Sequence, residues 1–222
     1  MALDIEKKSD EILSQILKNP HLKRVVDHSI KIPAIFKGSG PIRIIILGQN
    51  PTIKNPVDRK EITTVLNLNR NGALRSYVES ICLEMGLIVD RNVYATNCLK
   101  NFFTDPPAPK KETDTIFEEF LPCWLPLLKE ELSEYPDVPV ITMGEPLLKP
   151  LLKPRRDYRV HQYWGYTDDW KESDERNFSF IKADDNILKR ILLPFPHQPS
   201  LAKEFFRCRF KEYIRFIMEL LE

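Results

Sequence analysis

Asn50, Asn97 and His197 each follow an apolar run, and each brings a side chain able to hydrogen-bond a reacting group. An Asn can orient a water through its carbonyl oxygen, or read a base edge with donor and acceptor together; a buried His can stabilise negative charge as it develops. The first run, residues 42–51, is Ile-Arg-Ile-Ile-Ile-Leu-Gly-Gln-Asn-Pro. Its unbroken apolar stretch suits a central parallel strand covered on both faces, since a strand with one wet face would alternate. In open parallel sheets the ligand crevice lies beyond the carboxyl ends of such strands. Gly48, Gln49 and Asn50 are therefore candidates for a floor of backbone amides and one side-chain amide, and Pro51 ends the ladder because it has no N–H. A second run, 92–95, delivers Thr96 and Asn97, and a fourth, 191–195, is followed at once by Pro196-His197-Gln198-Pro199-Ser200. Alone, Asn50 and Asn97 read equally as strand-end turn formers, and a lone His in a Pro-rich turn is more often structural than catalytic. Their succession on three strand ends points to one shared site.

The elements that must position them follow from periodicity. Helical spacing appears over 4–18, around 21–28, over 73–85 with Gly86 closing it, over 113–134 with an interruption or bend expected near Pro122 and Pro126, and over 145–152. A last helix runs to Leu221 with Ser200 as its N-cap. A third strand is expected at 138–144. Strands alternating with helices imply an α/β fold, a three-layer αβα sandwich around a central, mostly parallel four-stranded sheet. A single domain, 1–222, is expected, with an N-terminal helical extension over about 1–40. A polar and aromatic insertion, about 153–185, holds Tyr158, Tyr163, Trp164, Tyr166 and Trp170 and a short strand at 178–181. Residues 51–71 read as a long polar loop, of the kind that is usually functional.

With 33 basic and 32 acidic residues the formal net charge is +1, which excludes a generally basic nucleic-acid coat and leaves only local patches. Lys203, Arg207, Lys211 and Arg215 recur every four residues on the last helix. Lys149, Lys153, Arg155, Arg156 and Arg159 adjoin the aromatic insertion, and such a mixture can grip phosphates and stack on bases. The competing readings are a solvated helix face and a loop anchored by its own aromatics. Cys82, Cys98, Cys123 and Cys208 are scattered without a Cys-x-x-Cys pair, which argues against zinc-ribbon or thioredoxin-type sites and for free thiols in a reducing cytosol. Neither a leader nor a run long enough to span a bilayer is evident, so a soluble, cytoplasmic monomer is expected.

Gly48-Gln49-Asn50-Pro51 resembles the first motif of the uracil-DNA glycosylase superfamily, closer to its Gly-x-Asn-Pro branches than to its Gly-Gln-Asp-Pro enzymes. Val93-Tyr94-Ala95-Thr96-Asn97 is similar to the strand whose final Asn reads the uracil edge. Residues 120–125 and 140–144 are similar to the superfamily's helix-then-strand segment, and His197-Gln198-Pro199-Ser200 looks like its His-Pro-Ser motif with one residue inserted. The resemblance runs in order from about Arg43 to Phe210. It implies a monofunctional DNA glycosylase that removes a deaminated base, uracil above all, from DNA without a cofactor. Asn50 would position the attacking water, Asn97 bond the flipped base, and His197 support the leaving base, with Gly48, Gln49, Gln198 and Ser200 around the substrate. From the two basic clusters, Lys203, Arg207, Lys211, Arg155 and Arg156 are the candidates to meet phosphates, and the segment just after His197, with Leu201, is the natural place to look for a wedge into the duplex.

The chain also departs from that pattern. Asn50 stands where the Gly-Gln-Asp-Pro enzymes have a carboxylate, and Thr52 where they have the tyrosine that excludes thymine. Residues 53–71 contain no aromatic to stack on the base, although Phe102 and Phe103 follow Asn97 closely; ordinary core packing is the competing role for both. Gln198 either displaces His197 or takes over its task. No paired cysteine near the N-terminus matches the iron–sulfur branches. A non-catalytic nucleic-acid-binding or adaptor protein that keeps the fold is the alternative.

Overall fold

The computed structural model describes residues 4–105, 111–153, 159–167, 178–198 and 203–221. In chain order the elements are α1 (Ile5–Ile16), α2 (Pro20–Lys23), β1 (Phe36–Lys37), β2 (Ile44–Gly48), α3 (Pro56–Arg59), α4 (Ala73–Glu84), α5 (Val89–Asn92) and β3 (Val93–Asn97). There follow α6 (Lys111–Ser133), β4 (Val140–Met143), α7 (Glu145–Leu151), α8 (Val160–Tyr163), β5 (Leu192–Phe195) and α9 (Glu204–Leu221).

The sheet has five strands in the order β1-β3-β2-β4-β5. β2, β3, β4 and β5 are parallel, and β1 is antiparallel to β3. The four expected strands are present, and the fifth is a correction: the N-terminal extension contributes an edge strand. Two residues are too few to leave a readable alternation. Every residue of β2, β3, β4 and β5 is buried, which is why their runs are continuous rather than alternating.

Register decides which side chains share a face. Ile45 pairs with Tyr94 and Val140, Leu47 with Thr96 and Thr142, and Thr142 with Pro194, so all of these face α6, where Tyr94 donates to Glu131. Gly48, Asn97 and Phe195 lie on the opposite face, where Phe195 meets Tyr213 of α9. α9 packs there beside α4.

α6 runs as one helix through Pro122 and Pro126, with no interruption at either. Each proline lacks its own N–H, so the carbonyls of Glu118 and Pro122, four residues before them, go without an intrahelical donor. Buried Phe117, Phe120, Trp124 and Leu128 hold the helix against the sheet, and Trp124 Nε1 donates to Asn101 Oδ1 at 2.9 Å.

The aromatic insertion is core. Trp164 is fully buried, stacks on Tyr213 at 4.4 Å and meets Phe195 and Phe206 edge-on, while its Nε1 donates to Pro194 O. Arg209 of α9 is buried, bonds the carbonyls of Trp164 and Gly165 and lies over the Tyr166 ring. These rings therefore anchor their own segment rather than offering faces to bases. The expected strand at 178–181 is reduced to isolated bridges, Trp164 with Phe178 and Ile181 with Leu192. Tyr158, Trp170, Arg155 and Arg156 lie outside the described residues.

Candidate functional site

The carboxyl ends of the four parallel strands emerge on one edge and bring the three candidates to it. β2 ends at Gly48, β3 at Asn97, β4 leads into Gly144 and β5 into Pro196 and His197. Asn50, two residues beyond β2, lies between the other two. β3 and β5 stand three strand spacings apart, about 14 Å at about 4.8 Å each, so side chains from both must lean inward to meet a small ligand over β2.

Asn97 does so at a glycine. It is 1% exposed, and its Oδ1 is buried with no hydrogen-bond partner. Gly48 is its register partner. A Cβ on Gly48 would fall well inside contact distance of Asn97 Oδ1 and 2.8 Å from Leu66 Cδ2. Gly48→Ala is expected to push the Asn97 amide aside and to lower stability by about 1–3 kcal/mol through overpacking. Urea denaturation checks the stability, and the side-chain amide resonance of Asn97 checks the displacement. Beyond the strands the two tips remain stitched together, Cys98 N to Gly48 O at 2.8 Å and Leu99 N to Gln49 O at 2.9 Å.

Asn50 is half-buried, and its Oδ1 accepts from Thr52 N at 2.9 Å in a local turn. One lone pair of that oxygen remains to orient a water. Thr52 Oγ1 accepts in turn from Phe103 N at 2.8 Å. Below this tip lies Arg59, read from the sequence as part of a polar loop but only 1% exposed. It donates to Ile53 O, Phe103 O and Thr104 O at 2.8–2.9 Å and approaches Asp27 at 3.7 Å.

His197 packs over a second glycine. Gly144 has φ +93°, and a Cβ there would lie 3.1 Å from His197 Cδ2. Buried Tyr77 of α4 donates to Pro196 O at 3.0 Å, fixing the backbone just before the histidine. His197 is exposed, yet protein atoms around the ring desolvate it and lower its pKa from the ordinary 6.5. The shift favours the neutral ring, a donor through one nitrogen only. A depressed folded value means stability present above pH 6.5 and lost as the pH falls through the folded value. Between pH 7.5 and pH 5, wild type is expected to lose more urea stability than His197→Asn, by a modest margin because the ring is partly exposed. Equal losses in the two proteins would contradict the desolvation.

The sequence reading missed Leu66. Leu66 and Asn67 have φ of 55° and 53°, which is strained for non-glycine residues, and the turn sets Leu66 against Gly48. The aromatic sought in 53–71 is replaced at this floor by a leucine held in an unfavourable backbone. Phe102 and Phe103 are buried, and Phe103 packs on Phe120; they are core.

It also missed the buried polar group beneath β3. Lys100 Nζ donates to Glu131 Oε2 at 2.6 Å and to Thr96 Oγ1 at 2.7 Å, and Tyr94 OH donates to Glu131 Oε1 at 2.6 Å. Lys100 is 4% and Glu131 0% exposed. Glu131 follows Leu127 and Leu128 by four and three residues on the apolar stripe of α6, so its position was a readable signal.

Gln198 is half-buried beside His197, whereas Ser200 and Leu201 lie outside the described residues. α9 begins at Glu204, four residues after the expected cap. Lys203, Arg207, Lys211 and Arg215 are exposed, and Lys211 pairs with Glu84 at 3.1 Å. Of the cysteines, Cys82 and Cys98 are buried, and burial pushes each thiol up to about 12. Cys123 is half-buried and Cys208 exposed. Among the described residues no group of three or more His, Cys, Asp or Glu gathers to hold a metal, and no helix is long and apolar enough to cross a membrane.

No family model matches the chain, and no curated protein matches it.

Proposed function

We propose that this protein is a monofunctional DNA glycosylase of the uracil-DNA glycosylase type, which hydrolyses the N-glycosidic bond of a deaminated base, uracil foremost, and leaves an abasic site for base excision repair. The observation that supports it most is the succession of Asn50, Asn97 and His197 on the carboxyl ends of three parallel strands, with a glycine making room for two of them. Bond cleavage builds positive charge on the sugar and negative charge on the departing base. Donors aimed at a base oxygen therefore stabilise the transition state more than the ground state. Asn97 would bond the base edge once the nucleotide has left the stack. His197, neutral, would donate to the developing oxyanion, and Asn50 would orient water through the remaining lone pair of Oδ1. The exposed cations of α9 would meet phosphates, giving binding that weakens steeply with salt.

One observation favours a second reading. The Asn50 oxygen already accepts from Thr52 N and no carboxylate replaces it, as expected of a nucleic-acid-binding protein that keeps the site without turnover. A single-turnover assay decides between them, with protein in excess over single- and double-stranded oligonucleotides carrying uracil, hypoxanthine or thymine opposite guanine. Abasic sites revealed by alkali support the glycosylase; salt-sensitive binding with every substrate intact supports the alternative.

A further inference from the structure

Asn97 Oδ1 is shut in. It is buried without a hydrogen-bond partner, and the space beside it over Gly48 is shared with Leu66 Cδ2. A second amide oxygen, Asn67 Oδ1, is also buried without a partner. Leu66 and Asn67 are both left-handed, and residues 65–67 pack against β3. Two orphaned acceptors and two unfavourable backbones thus belong to a single contact. Each costs free energy. Backbone outliers of this kind persist only where the surrounding structure imposes them, and they gather at ligand clamps and switch regions.

What holds the turn shut is local. Leu66 is only half-buried, so closure removes part of its side chain from water and no more. The bonds of the turn itself are Asn67 N to Thr64 O at 2.9 Å, Arg70 N to Asn67 O at 3.2 Å, and a long one from Leu68 N to Val65 O at 3.4 Å. Its two ends, by contrast, are fixed. Val65 is 3% and Leu68 0% exposed; Val65 N donates to Ala34 O at 2.8 Å, and Arg75 Nη1 donates to Leu68 O. A change of backbone confined to residues 66 and 67 would lift Leu66 off Gly48 and leave both anchors in place. It would also relieve the two left-handed residues and let water reach the two oxygens.

We propose that residues 66 and 67 form a latch, closed over Asn97 in this structure, which opens to admit a ligand to the strand-end crevice. Entry is then paced by the latch rather than by diffusion. The proposal goes beyond the glycosylase reading and does not rest on it, since opening requires no turnover.

Thiol trapping tests it in a chain carrying Cys123→Ser and Cys208→Ser, where the remaining thiols are those of buried Cys82 and Cys98. Asn97→Cys then adds one thiol behind the latch, and methyl methanethiosulfonate, small and uncharged, is the reagent. The introduced thiol is expected to react about tenfold faster than Cys82 or Cys98, because a local opening costs less than the larger ones that expose the core. Leu66→Ala shortens the latch and should hasten the reaction about tenfold further. Leu66→Ile keeps the volume but adds a β-branch that tolerates positive φ poorly, and should hasten it about fivefold. An introduced thiol no faster than Cys98, or one indifferent to Leu66→Ile, would overturn the latch. Should Asn97→Cys fold poorly, methyl relaxation dispersion of Leu66 in the otherwise unaltered chain takes its place, and a flat profile overturns the latch equally. Uracil excision with a slow thiol removes the latch and leaves the glycosylase; a fast thiol without excision does the reverse.

Discussion

Single-turnover release of uracil is expected to fall about 10²–10³-fold when His197 is replaced by alanine, the loss usual for removing one donor to a developing oxyanion. The ring lies over Gly144, where no side chain intervenes, and desolvation favours its neutral form. On the proposed reading, removing it takes away the donor to the leaving base. Asn50 gives a sharper discrimination. Asn50→Ala removes both the water-orienting oxygen and the acceptor for Thr52 N, and should abolish release. Asn50→Asp keeps that acceptor and adds a general base, and should raise release by up to about 10²-fold. A rate indifferent to all three substitutions would place the chemistry elsewhere, while unchanged oligonucleotide affinity in the variants would show that the loss is in the chemical step.

Breaking the Lys100–Glu131 pair is the largest stability effect expected, about 3–5 kcal/mol for Glu131→Leu alone. The substitution would leave an ammonium that is 4% exposed without its counter-ion, and Tyr94 OH without its acceptor. The double variant Lys100→Met with Glu131→Leu should recover much of that loss, because the pair as a whole returns little beyond the desolvation of its two charges. Urea midpoints of the four proteins measure this directly, and strict additivity of the two single losses would mean that the ions are not coupled. The pair sits beneath the strand that ends in Asn97, so the single variants should also loosen that end.

How much of this was legible beforehand differs by residue. β2, β3, β4 and β5 were readable because burial on both faces leaves a continuous apolar run, and the three candidates were readable because each follows such a run. Arg59 and Lys100 were not, since a cation in sequence reads as surface; only the fold supplies the carbonyls and the carboxylate that let each be buried. Trp164 and Tyr166 carried a composition that suits base stacking equally well, and it took α9 packing against them to assign them to the core. Leu66 left no signal, because nothing in Leu-Asn-Leu-Asn demands a left-handed backbone at two successive residues.

The grip of Arg59 also bears on when the site comes into being as the chain folds. Its partners Phe103 and Thr104 stand 44 and 45 residues away along the chain, and Asp27 lies 32 residues away by numbering. Contacts of such separation require large loops to close and are expected to form after local structure. The tip bearing Asn50 should therefore gain its hydrogen-exchange protection late in refolding, on a scaffold already assembled without it.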